Sequence, residues 1–306
     1  MKASQPEHRE SLRGGRRRIY IVPALFTTAN LFAGFYAAVA ALKGYQLVHT
    51  DWEAAARFFD NAAKAIGWAV LFDTLDGRIA RMTGATSEFG LELDSLADVI
   101  SFGIAPALLA YAWGYGSAPP AYDPRFAGLA WAVSFIFLMC GAFRLARFNV
   151  HTRRPIPESK KERRQFVGLP IPAAAGLIAA IVHFVRTPLL ATSSHDVSLS
   201  GLNIRIDSSF WSLMLLVLVF SLAMLMISTV RYAASKSVGA SRMSPRLTFL
   251  LLSLLVCGIY FYSRWVLLVL ATAYVSHGVV SRIIGRITRW HRREHSLHEP
   301  VTREFF

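Results

Sequence analysis

"DTLDGRIARMTGATSEFGLELDSLAD", residues 73–98, sets four aspartates beside stretches that are otherwise apolar. An ionised carboxylate against hydrocarbon is disfavoured by about 3 kcal/mol on insertion scales, so acids retained there mark function. Asp73 and Asp76 are three apart, and Asp94 and Asp98 four apart, so on helices each pair projects from one face. Between the pairs, Gly84 and Gly90 permit a turn and a close return of the chain. Two antiparallel helices joined so briefly bring the four carboxylates together. Unpaired, such a group repels and takes up protons; divalent cations would neutralise it.

Composition decides what solvent those acids meet. Of 306 residues, 54% are hydrophobic and only 17% charged, too apolar for an ordinary soluble domain of this length. An integral membrane protein is expected. The formal net charge of +14 would suggest nucleic acid in a soluble protein, but here Lys and Arg gather between apolar stretches and at the two ends. That is the pattern of loops facing an anionic leaflet, and nucleic acid is not expected as a partner. Cys140 and Cys257 both fall in apolar stretches and read as small buried hydrophobes. The basic arm 1–19 and the apolar stretch after it lack a secretory cleavage site and are read as mature protein.

Stretches long enough to cross a bilayer lie near 23–42, 62–80, 93–113, 126–146, 171–185 and 210–230. A last apolar region, 247–284, is too long for one helix and is split near Ser263 and Arg264, giving eight spans. Basic clusters at Arg16–Arg18, Arg153–Arg164, Arg231–Arg246 and Arg286–Arg293 then all fall on one side, the cytoplasmic one. Seven spans would put the basic C-terminal tail on the other side, so eight is expected. The expected fold is an all-α membrane bundle, organised as a basic arm (1–19), a transmembrane catalytic domain (20–285) and a polar tail (286–306).

Hard oxygen ligands at this density suit Mg²⁺, Mn²⁺ or Ca²⁺, and no His or Cys in the stretch argues for zinc. Two such ions about 4 Å apart are a device for displacement at phosphorus. Gly77, beside Asp76, lets a ligand approach the backbone; Arg81 offers a fork of donors suited to phosphate, and Ser87 a hydroxyl. Taken singly, Gly77 or Ala80 would be a helix-packing point and Arg81 a snorkelling base. Taken together, the eight fixed positions of D-x2-D-G-x2-A-R-x8-G-x3-D-x3-D arise by chance at a given start on the order of once in 10¹⁰.

Every one of those positions, Asp73, Asp76, Gly77, Ala80, Arg81, Gly90, Asp94 and Asp98, resembles the signature of the CDP-alcohol phosphatidyltransferase family. The resemblance implies a membrane enzyme that moves a phosphatidyl group from a CDP-linked lipid to an alcohol and releases CMP. It implies that Asp73, Asp76, Asp94 and Asp98 hold two divalent cations (Mg²⁺ or Mn²⁺, with Ca²⁺ as a third candidate) and that Asp98 is also the general base. Gly77, Ala80, Arg81, Ser87 and Gly90 would lie against the CDP-lipid. It further implies a six-helix core, here with two added C-terminal helices, a homodimer, and a bacterial plasma membrane with active site and termini facing the cytoplasm.

"FTTANLFAG" (26–34), "SFGIAPA" (101–107), "CGAFRLARFNV" (140–150) and "FVGLPIPAAAG" (166–176) are similar to the serine-specific branch. That likeness implies CDP-diacylglycerol and L-serine as substrates. Asn30 is expected to contact the nucleotide, with an interhelical hydrogen bond as the competing reading. Arg144 and Arg147, three apart on one face, are expected to clamp a carboxylate or phosphate of the acceptor, against membrane-edge anchoring. Pro106, Pro170 and Pro172 are expected to shape helix ends. Two alternatives remain open: another acceptor, such as glycerol 3-phosphate or an inositol derivative, or a divalent-cation transporter built on the same acids.

Overall fold

The apolar runs fold into helices; the computed structural model describes residues 7–83, 88–115, 124–153, 166–185, 187–189, 195–199, 202–206, 208–232 and 245–297. Helices α1 (Glu7–Leu47) and α2 (Trp52–Thr83) pack along each other as a hairpin. Asp51 caps α2: its carboxylate accepts the Ala54 N–H at 2.9 Å, satisfying one of the amides that a helix start leaves open.

After the turn, α3 (Glu88–Asp98), a π-helical stretch (Val99–Ile104) and α4 (Ala105–Gly114) form one rod. The wide turn has a local cause. Pro106, at the start of α4, has no N–H to return to the preceding turn, and the Ala105 N–H reaches back five residues to the Ile100 carbonyl. Then follow α5 (Pro124–Arg153), β1 (Phe166–Val167), α6 (Ile171–Phe184), β2 (His195–Leu199), β3 (Leu202–Ile206), α7 (Ser208–Ile227), β4 (Arg231–Tyr232) and α8 (Pro245–Leu297).

Helix therefore occupies each of the eight stretches expected from hydropathy. Among the described residues, five helical segments are long and apolar enough to cross a membrane: Ala24–Leu47, Glu88–Gly114, Phe126–Val150, Phe210–Ile227 and Ser253–Arg282. Helix α2 falls short of that composition because its own acids and bases interrupt it, and α6, at 14 residues, is short. The long last region is one α8 broken at Tyr262, where φ −131° and ψ 40° leave the helical region. A Cβ placed on Gly258 would lie 3.5 Å from the Val266 side chain, although eight residues of straight helix span about 12 Å. The chain bends sharply there, one residue before the expected division.

Helix α8 continues to Leu297, well into the tail, and α1 begins at Glu7, inside the basic arm. Two short antiparallel ribbons also interrupt the all-α plan outside the bundle. In one, β2 pairs with β3; in the other, β1 pairs with β4 and fastens the entry of α6 to the exit of α7. At that entry Gly168 has φ +89°, and a Cβ there would lie 2.3 Å from the Met226 carbonyl oxygen, so the position demands glycine.

Small residues line the inner faces: Ala37 and Ala41 of α1, Ala62 and Ala69 of α2, Ala174 and Ala175 of α6 are buried. In lipid, where apolar burial gives little drive between helices, such residues let backbones approach closely. Helix α6 packs against both α2 and α8.

Candidate active site

Three faces converge near the C-terminal end of α2. Asp73 projects from α2, and Asp94 and Asp98 from α3, with one carboxylate oxygen of each lying within 4.8 Å of the others. The fourth acid, Asp76, is buried and accepts a hydrogen bond from the Thr27 hydroxyl of α1. It stands beside the trio, near enough for its charge to bear on Asp94.

Helix α1 organises this centre through residues at i, i+3 and i+7. Thr27 reaches Asp76, and Asn30 donates its amide to Asp98 Oδ1 at 3.4 Å. Gly34 lets the π-helical stretch come so close that a Cβ would lie 2.2 Å from Ser101 Oγ. Ser101 donates in turn to the Asn30 carbonyl at 2.9 Å. The segment following Asp98 is thus pinned to the same turn of α1 that holds its carboxylate. Asn30 is fully buried, and its Oδ1 has no partner among the described residues, which leaves a buried acceptor unsatisfied on the side chain that holds Asp98.

Helix α5 supplies the cationic side. Arg144 interacts electrostatically with Asp98 and with Tyr274 of α8, and its buried Nε has no hydrogen-bond partner among the described residues. Arg147, expected beside it, is exposed, whereas Arg144 is half-buried. One turn beyond, Asn149 donates to Ser95 at 2.7 Å and ties the end of α5 to α3 between the two aspartates. Gly77 and Gly90 are half-buried on the helices that carry the acids. Ser87 lies outside the described residues, as do the side chains of Ala80 and Arg81.

Sequence reading missed Thr27, Ser95, Ser101 and Asn149. The signal for the first was present: polar or small residues at Thr27, Asn30 and Gly34 share one face of an otherwise apolar helix.

The donor set fits a hard divalent cation, being carboxylate oxygen alone, with neither thiol nor imidazole in the group. An oxygen cage beside a guanidinium suits an anionic, phosphate-bearing substrate better than a free passage for cations.

Comparison with known proteins agrees with this chemistry. CDP-diacylglycerol–serine O-phosphatidyltransferase of Helicobacter pylori (strain ATCC 700392 / 26695) is 38% identical over 221 residues, covering 72% of this chain and 75% of that protein. The protein of the same name from Saccharomyces cerevisiae is 38% identical over 165 residues, 54% of each chain. Archaetidylserine synthase of Methanothermobacter thermautotrophicus is 35% identical over 175 residues, 56% of this chain and 58% of that one. The family model for CDP-alcohol phosphatidyltransferases matches residues 20–198. That match takes in every acid of the centre and ends before α7, so the sixth expected core helix and both halves of α8 lie beyond it. With the signature complete and its carboxylates gathered, the chain belongs to the CDP-alcohol phosphatidyltransferase family.

Proposed function

We propose that the protein transfers the phosphatidyl group of CDP-diacylglycerol to the hydroxyl of L-serine, giving phosphatidylserine and CMP. The observation that carries this reading is the meeting of Asp73, Asp94 and Asp98 within 4.8 Å in a chain whose relatives are named for that reaction.

Asp73, Asp94 and Asp98, with Asp76 beside them, would hold two divalent cations, Mg²⁺ or Mn²⁺, with Ca²⁺ as a third candidate. Bound there, such ions neutralise the diphosphate and raise the electrophilicity of its phosphorus. Asp98 takes the proton of the serine hydroxyl as that oxygen bonds to the phosphorus bearing diacylglycerol. The bond from that phosphorus to the bridging oxygen breaks, and CMP departs with the electron pair. An ionised carboxylate is a weak base, so Asp98 works by position, which Asn30 secures through its amide. The CDP-lipid rests on Gly77, Ala80, Arg81, Ser87 and Gly90, with Asn30 Oδ1 as an acceptor. Arg144 receives the serine carboxylate, and Arg147 attracts it from the surface.

This reading also carries the orientation inferred from the basic clusters: a multi-pass plasma-membrane protein, with active site, arm (1–19) and tail (286–306) toward the cytoplasm, working as a homodimer. Purified protein in lipid nanodiscs, given CDP-diacylglycerol and one labelled alcohol at a time, tests it. Phosphatidylserine and CMP should form in equal amounts with serine. A lipid product from glycerol 3-phosphate or inositol instead would replace the acceptor, and metal flux without CMP release would favour a transporter.

A further inference from the structure

At the other end of α2 lies a second polar constellation that phosphatidyl transfer does not use. Asp60 of α2 meets His183 at the end of α6, Oδ1 to Nδ1, at 2.5 Å. Across the same ring, His183 Nε2 lies 3.0 Å from Ser263 Oγ of α8. Lys64 occupies the other carboxylate oxygen of Asp60 at 2.7 Å. From Asp60 to Asp73 is 13 residues of α2, about 20 Å, so the two centres sit toward opposite faces of the bundle.

The connectivity is that of a hydrolytic triad, with the carboxylate on Nδ1 and the hydroxyl on Nε2. Its burial is graded in the same sense: His183 is buried, whereas Ser263 is partly open and flanked by exposed Tyr262 and Trp265. Ser263 also follows the break at Tyr262 directly. It leads a new helical segment, where N–H groups without an upstream carbonyl are donors for a developing oxyanion. Phe184 and Trp265, edge to face at 4.7 Å, pack α6 against α8 beside these residues in sequence.

We propose that Ser263, His183 and Asp60 form a second active site that cleaves carboxylic esters, with a lipid acyl ester as the substrate its aromatic, lipid-facing rim admits. Ser263 Oγ bonds to the ester carbonyl carbon while its proton passes to His183 Nε2. The ester C–O bond breaks, and the leaving alkoxide takes that proton. Water then repeats the sequence on the acyl-serine and releases the carboxylic acid. Asp60 is a positioning residue: it holds the proton on Nδ1, leaving Nε2 as the base.

The test is labelling of the full chain in phospholipid nanodiscs with a biotinylated fluorophosphonate, followed by peptide mass spectrometry. One adduct is expected, on Ser263, absent from Ser263→Ala and formed about tenfold or more slower by His183→Gln. Fatty acid released from the nanodisc lipid supports the lipid ester. Turnover of p-nitrophenyl butyrate alone retains the esterase and overturns its lipid substrate. No adduct on Ser263 in a preparation with full phosphatidyl transfer, which reports intact folding, overturns the proposal and leaves the three residues as a tie between helices.

Discussion

Helix α2 carries two acidic centres that answer the same electrostatic problem in opposite ways. Near its start, Asp60 receives both Lys64 and His183, so the chain supplies its own compensation. Near its end, Asp73 is set against Asp94 and Asp98, and three carboxylates crowd within 4.8 Å. A buried charge that is fully partnered holds helices together, whereas like charges in contact oppose folding until something from outside joins them. The contrast separates an acid kept for the chain's own network from acids kept for a ligand.

Substitutions sharpen that contrast. Asp98→Asn or Asp94→Asn should lower turnover about 10³-fold or more while the protein still folds, as measured by CMP release beside a melting curve. Arg144→Ala should come next, raising KM for serine about 10–100-fold through loss of a charge-assisted clamp, with partial return in Arg144→Lys. Asn30→Ala and Thr27→Val, which loosen the carboxylates rather than remove them, should reduce kcat about tenfold and weaken the response to Mn²⁺. The smallest effect is the most diagnostic because its sign should differ between the two ends of one helix. In EDTA, Asp94→Asn should raise stability by about 1 kcal/mol by relieving repulsion, and Asp60→Asn should lower it by about 1–3 kcal/mol. If both substitutions destabilised the chelated protein equally, the distinction between the centres would fail. Added Mn²⁺ should then raise the melting temperature of the wild type and of Asp60→Asn, and leave Asp94→Asn unmoved.

Local pattern carried much of this molecule into the sequence. Aspartates at spacings of three and four fix a helical face, and of the four acids expected together Asp73, Asp94 and Asp98 meet; Gly90, expected in the return between them, lies instead within α3, and Gly84 is outside the described residues. The split of α8 was legible from length alone, since a largely apolar stretch of 38 residues, 247–284, exceeds any bilayer, and the break falls at Tyr262. What could not be read are partnerships across long separations. Asp60 and His183 are 123 residues apart and His183 and Ser263 are 80 apart, and nothing in the local pattern around any of the three points to the others. Arg144 and Arg147 looked equivalent because spacing gives a shared face but not which turn of that face a neighbour covers. The ribbons fell in connections that hydropathy treats only as gaps.

The wide turn at Val99–Ile104 has a consequence for how this rod could change over time. One more or one fewer residue in a helix swings everything beyond it by about 100°, which would normally scramble a packed core. A loosely wound stretch is where such a change is absorbed, since it already holds more residues per turn than its flanks. Asp94 and Asp98 on one side, and Trp113 with its packing on the other, are thereby indexed separately. Variation in the outer half of the rod can proceed without turning the acids away from their ligands.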